Sequence, residues 1–452
     1  MENVNTANMM KEAKFDLHEL FFSITKSDST IVAGNDTFIR LSGYEKDEII
    51  GRFHNIVRHQ DMPRVIFKIF WDYIKSNRPV VAYVKNRTKD GSYYWVLAVV
   101  FPFGDEYISI RIKPNTQYFT LVKEIYSKLK AEEAVLSLNE SEEALIKLLK
   151  DHGFKSYDHF MNDVLLAELL ERKQLLLKTE IGSEQNIQNV PYTFTNMKPL
   201  YDISTSLLSE YGEWFEKIES FDRVKSAFEE KGLVLRMLAR DIVFLSLNAS
   251  VASYKLDMNG ETFGVLASDV RTNAKENDIL IGNIHEASQN ISESLHEIIF
   301  LVSYVRLQME MMTYFINEML HDQDGRLNLS IDTIYELVAK YNEDLMKLPM
   351  SFEKAIEKNM QFLDELDRQV MYLGYVQIYG IIESARCNDD TLGFGEIFSQ
   401  LKNLIIKTSD EIVLMKKMAE GFYEDTQRLI ERSKGIKSMI QHMRCEIDKL
   451  KN

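Results

Sequence analysis

Along the first quarter of the chain short apolar runs alternate with turn residues, and beyond it the apolar positions move to helical spacing and stay there. Phe21 to Ile24 and Ile31 to Val32 read as short strands, and Pro79 to Arg87, Ser92 to Phe103 and Tyr107 to Lys113 as longer ones. Asp90-Gly91 lies between two of the longer runs and marks a hairpin, because glycine accepts the positive φ of a tight turn without a Cβ clash. Short helical pieces separate the early strands from the late ones. The last of them, Asp61 to Ser76, carries Ile66, Phe70, Tyr73 and Ile74 on one face, with Asp61 and Pro63 suited to its start. Two strands, several helices and a three-stranded meander predict an α+β layout over residues 15–115, with helices packed against one antiparallel sheet.

Pro63, Pro79, Pro102 and Pro114 all fall in that first quarter, so the rest of the chain reads as largely helical. Residues 116–190 form a helical connector, and the polar run Gly182 to Asn189 ahead of Pro191 reads as a linker. Residues 195–322 predict a long antiparallel coiled-coil hairpin with its tip near 252–262. Leu238, Ile242, Leu245 and Ala249 repeat at 4, 3, 4 spacing on the outward arm, and Leu266, Val270, Asn273, Asn277, Leu280 and Ile284 continue the rhythm on the return. The stretch HDQDGRLN (321–328) breaks the pattern. Residues 330–452 then supply a C-terminal helical bundle whose last helix runs from about Glu396.

The chain has 452 residues, 45% of them hydrophobic, which is ample for real cores. Its formal charge of −15 is spread along the length, which argues against nucleic acid or an anionic membrane surface as partner and favours a protein or small molecule. Cys387 and Cys445 stand in no metal or redox spacing, which predicts reduced thiols and a cytoplasmic protein. The N-terminus is charged where a secretory signal is apolar, and every apolar run stops well short of the roughly 20 residues that span a bilayer. No phosphate-binding glycine loop, phospho-acceptor box or metal-spaced His/Cys cluster is evident, so a non-enzymatic role is expected.

Four segments carry the candidate chemistry: AGNDTFIRLSGY (33–44), GRFHNIVRHQDMPR (51–64), VKNRTKDGSYYWV (84–96) and SIRIK (109–113). Together they resemble the PAS domain of bacterial aerotaxis receptors. The resemblance implies a PAS sensor that binds FAD non-covalently, with Asn35, Arg58, His59, Asp61, Trp71 and Asn86 at the family's flavin-affecting positions. The chemistry agrees with it. Asn35 and Asn86 offer amides for a polar ring edge, Trp71 and Trp95 offer ring faces, and Arg58 with His59 offers positive charge for a pyrophosphate. Core packing of both tryptophans and helix capping by Asp61 are the alternatives. No cysteine lies in this segment, so the thiol adduct of light-sensing flavin domains has no donor. Haem, which needs an axial ligand from His54 or His59, ranks below flavin.

The stretch 241–274, DIVFLSLNASVASYKLDMNGETFGVLASDVRTNA, is similar to the tip of methyl-accepting chemotaxis receptors. That resemblance implies homodimerisation and docking of a chemotaxis histidine kinase and coupling protein, with Asn248, Val251, Ala252, Lys255 and Phe263 as candidate contacts. Ala252 and Lys255 stand where the family has glutamate and arginine, and lysine does not supply arginine's bidentate geometry. The expected function is a cytoplasmic PAS transducer for redox, oxygen or energy taxis. The competing expectation is a cofactor-free scaffold that uses the PAS module and the altered tip for dimerisation or partner binding.

Overall fold

In the computed structural model β1 (Phe21–Lys26) and β2 (Ile31–Gly34) lead into α1 (Asp36–Ser42), α2 (Lys46–Ile49), a single 3-10 turn (His54–Val57) and α3 (Arg64–Lys75). Three longer strands come next: β3 (Val80–Arg87), β4 (Tyr93–Phe103) and β5 (Glu106–Ile112). The structure describes residues 11–180, 197–254, 260–321, 330–386 and 393–451. The linker expected at Gly182 to Asn189, Lys255 at the hairpin tip, most of the HDQDGRLN stretch and Cys387 lie outside the described residues.

The strands form one antiparallel sheet in the order β2-β1-β5-β4-β3. Gly91, at φ +88°, turns the β3–β4 hairpin, and Gly43, at φ +72°, ends α1. The start of α1 is set by Asn35, whose Oδ1 accepts from the backbone N–H of Phe38 and, at 3.0 Å, from that of Phe22 on β1. Asp61 does not cap α3. The residue before the helix is Pro63, with no side-chain cap, and Asp61 instead pairs with Lys85 at 2.6 Å.

The chain divides into two compact units. The first comprises residues 1–215, 300–343 and 436–452. In it the sheet is covered on both faces, which is why β4 reads as an unbroken apolar run rather than an alternating one. One face looks toward α1–α3. Against the other pack α4 (Gln117–Glu132), α6 (Tyr157–Glu180) and segments of two long helices, α8 (Gly260–His321) and α9 (Ser330–Arg386); the start of a third, α7 (Lys198–Ser253), belongs to the same unit. Phe119 stacks on Tyr83 at 5.7 Å, Phe315 meets Phe22 edge-on at 5.0 Å, and Tyr304 and Tyr341 meet Phe101 at 5.0 and 5.2 Å. Glu168 of α6 is buried and saturated with donors: Tyr83 Oη, Thr116 Oγ1 and the backbone N–H groups of Asn115 and Thr116 at the start of α4. Between α4 and α6 lies α5 (Leu138–Asp151), begun by a capping box of Ser137 and Glu140.

The second unit, residues 216–299 and 344–435, is built from the remaining parts of α7, α8 and α9 together with residues 394–435 of α10 (Phe394–Lys451). Its core draws Ile242, Leu245 and Ala249 from α7, Phe263, Ala267, Val270 and Ala274 from α8, Leu373 and Val376 from α9, and Phe394, Phe398 and Leu401 from α10. The two arms expected as a hairpin therefore share one core with the two C-terminal helices, as a four-helix arrangement. Asn273, a seam residue, reaches Gln369 of α9 at 2.5 Å and accepts from Asn277 at 3.0 Å. At Gly380 an added Cβ would lie 2.3 Å from the Phe398 ring, so glycine there lets α9 and α10 approach.

Candidate functional site

Side chains on the α1–α3 face of the sheet follow the two-residue period of each strand: Ser23 and Thr25 on β1, Val84 and Asn86 on β3, Ala98 and Val100 on β4, Tyr107, Ser109 and Arg111 on β5. Opposite them α3 presents Phe67, Phe70, Trp71 and Ile74 at i, i+3, i+4 and i+7. These residues, with Phe53, His54, Asn55 and Arg58, enclose a cavity of about 390 Å³. The face of α3 read from sequence is thus only half right. Phe70 and Ile74 line the cavity, whereas Ile66 and Tyr73 are buried away from it and α3 is apolar on two sides.

One part of the cavity is apolar and the other is a polar cluster. Arg111, 3% exposed, donates to Ser23 Oγ at 2.9 Å, to His54 Nε2 at 2.7 Å and to the carbonyl of Ser109 at 3.4 Å. Burial lowers the Arg111 pKa to about 10. Among the described residues no carboxylate pairs with it. His54 lines the cavity and is half-buried. Burial, with the Arg111 charge beside it, pushes its pKa down to about 3. The ring is therefore neutral, with Nε2 accepting and the proton on Nδ1. A histidine chemical-shift titration is expected to find His54 uncharged down to about pH 5, where an ordinary imidazole has gained its proton; a midpoint near 6.5 would mean that the cluster is open to water.

Beside this cavity, sharing Asn55 and Arg58 with it, is a second recess lined by His59, Gln60, Arg64, Arg87, Gly91 and Lys130. Arg58, Arg64 and Arg87 form no ion pair with a carboxylate among the described residues, so the recess is locally cationic in an acidic chain. The Arg58 guanidinium also lies over the Phe67 ring at 4.2 Å.

Of the seven residues singled out for a cofactor, Arg58, Trp71 and Asn86 line the cavity. His59 lies in the cationic recess. Burial and nearby Lys85 hold its pKa down, its Nδ1 accepts from the Asp61 N–H at 3.1 Å, and its buried Nε2 has no partner among the described residues. Asn35, Asp61 and Trp95 are elsewhere. Asn35 caps α1 and bonds Glu318 of α8, Asp61 is exposed, and Trp95 is on the opposite face of the sheet against Phe119 at 5.4 Å and Tyr126 at 6.3 Å. Sequence reasoning missed Ser23, Ser109 and Arg111. The available signal was polar residues at alternate positions of strands otherwise apolar on both faces. At the hairpin end, Asn248 and Val251 are exposed and Ala252 is half-buried. Phe263 is not a surface residue. It is fully buried and stacked on Phe394 at 4.3 Å.

The residues present fit a flavin: an apolar slot, a polar end with an uncompensated guanidinium, and a cationic recess at one side. Haem fits less well, because the Nε2 lone pair of His54 is engaged by Arg111.

Residues 31–111 match the family described as the PAS fold. Over 114 residues the chain is 40% identical to the aerotaxis receptor of Escherichia coli (strain K12), a match covering 24% of this chain and 22% of the receptor. It is 29% identical over 108 residues to the bacterioopsin transcriptional activator of Halobacterium salinarum (strain ATCC 700922 / JCM 11081 / NRC-1), covering 23% of this chain and 16% of that one. The light-state structure of the blue-light photoreceptor Aureochrome1 LOV matches 23% of this chain and 88% of its own at 27% identity, with a TM-score of 0.21. The chain spans less than a quarter of the length of the curated relatives it matches. Among the described residues no helix is long and apolar enough to cross a membrane. The N-terminal segment is thus a PAS-fold domain similar in sequence to part of the aerotaxis receptor, followed in the chain by long helices.

Proposed function

We propose that this chain is a cytoplasmic signal transducer for redox, oxygen or energy taxis, not an enzyme, and that its PAS domain holds FAD in the α3–sheet cavity. The observation that supports it most is the pairing of an apolar slot from Phe67, Phe70 and Trp71 with a polar cluster, buried Ser23, Ser109 and Arg111 with half-buried His54, that lacks a counter-charge. A flavin supplies a ring whose charge and hydrogen-bonding edge depend on its oxidation state. Asn86 and Ser23 meet such an edge, Trp71 and Phe70 exclude water, and Arg58, Arg64 and Arg87 receive phosphates at the recess. The strands that carry Ser23 and Arg111 bear Phe22 and Ile110 on their other face, and Phe22 meets Phe315 of α8. A shift of β1 or β5 is in this way felt by a long helix.

The test is the visible absorption spectrum of the purified protein before and after dithionite. Flavin bands that bleach on reduction are expected, and a colourless protein that takes up no added FAD would sink the reading.

A specific feature favours partner binding through the second unit. Leu233, Met237, Phe244, Leu247, Val251 and Tyr254 succeed one another on α7 at coiled-coil spacing and are 41% to 91% exposed. We propose that this seam makes a homodimer, with docking of a chemotaxis kinase and coupling protein as its finer role. Phe244→Glu with Val251→Glu is expected to shift the protein from dimer to monomer in sedimentation with helicity unchanged; an unaltered dimer places the contact elsewhere.

A further inference from the structure

A guanidinium buried among neutral groups is costly, because nothing nearby returns the solvation it has lost. Arg111 is in that position: Ser23 Oγ, the Ser109 carbonyl and a neutral imidazole accept its hydrogens, yet none carries negative charge. Asp28, the carboxylate in the cavity lining, is exposed and accepts from the Thr30 N–H at 2.9 Å. Aromatic faces complete the surroundings, with Phe38 and Phe21 at 5.4 and 5.8 Å from the guanidinium carbon. A folded site with this layout is half of an interaction whose other half arrives with the ligand.

We infer that Arg111, oriented by His54 and Ser23, makes the cavity select for negative charge on the ring edge it faces, so that a bound flavin is held more tightly reduced than oxidised. This rests on the proposed binding of a flavin in the same cavity. Taking two electrons, as from dithionite in a titration, and one proton from solvent, a neutral flavin ring gains one net negative charge; with a second proton from solvent it is neutral again. A fixed guanidinium in a low-dielectric cavity favours the first outcome. Neutral His54 serves as the acceptor that aims the guanidinium without cancelling its charge, a positioning role.

The experiment is a spectrophotometric redox titration of the FAD-loaded full chain against pH, for the native protein, Arg111→Gln and Arg111→Lys. The native midpoint is expected to move by about 30 mV per pH unit, the mark of one proton per two electrons, from pH 8 down to about pH 5.5. Arg111→Gln keeps hydrogen bonding and loses charge. It is expected to lower the ratio of reduced to oxidised affinity at least tenfold, a fall of about 30 mV for a two-electron couple, while Arg111→Lys stays near native. A native slope of about twice 30 mV throughout, or equal midpoints for native and Arg111→Gln, overturns the inference while leaving flavin binding intact. The native slope decides the matter even if the variants fail to fold. Failure of the native chain to take up FAD defeats the underlying reading as well.

Discussion

Phe101→Ala is expected to remove about 3–5 kcal/mol of folding stability, the range for deleting a fully buried aromatic ring from a site that cannot collapse. Phe101 is wholly buried on β4, and its ring is gripped edge-on by Tyr304 of α8 and Tyr341 of α9. Tyr304 in turn packs against Phe300 at 4.0 Å and Tyr341 at 6.0 Å, so the void is lined by large rings with their own partners. Urea denaturation followed by circular dichroism measures the loss, with Tyr254→Ala, 91% exposed, as a control expected to stay within about 0.5 kcal/mol. A loss below about 1 kcal/mol would mean that the helices do not close this face of the sheet.

Measured against Glu318→Gln, native stability is also expected to fall by about 3 kcal/mol as pH rises from about 4.5 through 7, on top of the opposite contribution that both proteins share from the lowered His54 pKa. Glu318 of α8 lies between helices, where Asn35 Nδ2 donates to both its oxygens at 3.1 and 3.0 Å and Thr37 Oγ1 to one of them at 3.1 Å. Those bonds favour the carboxylate. Burial outweighs them and Asp36 adds repulsion, so the pKa is raised from 4.5 to about 7. The folded state therefore holds this proton more tightly than the unfolded chain. Stability is complete below the unfolded pKa and is lost as pH passes the folded one. Other polar groups at this contact are Tyr314, which shares a hydrogen bond with Thr37 at 3.1 Å, and the ion-paired Glu19 and Arg40. Urea midpoints at pH 5.5 and 8.5 check the expectation; parallel shifts in native protein and Glu318→Gln would falsify it. The contact joins the cap of α1 to a long helix, so the same proton sets how firmly α8 holds the PAS domain.

The sheet and the helices after it were legible because their signals are local. Glycine at 91 fixes a turn, apolar runs with β-branched and aromatic residues fix strands, and helical spacing of apolar residues fixes the long helices. Arg58, Trp71 and Asn86 came to one cavity because they sit in short segments that the PAS topology brings together. Sequence alone determined these elements and the domain they belong to, since each depends on neighbours a few residues away. Only the tertiary structure decided which polar residues lack a counter-charge. Ser23 and Arg111 are 88 residues apart and meet through β1–β5 pairing. It decided likewise that Asn35 answers to Glu318, 283 residues on, rather than to the cavity. Phe263 entered a core because α9 and α10 pack against α7 and α8. Burial and charge compensation are sums over everything that surrounds a group, and those surroundings exist only once the chain has folded.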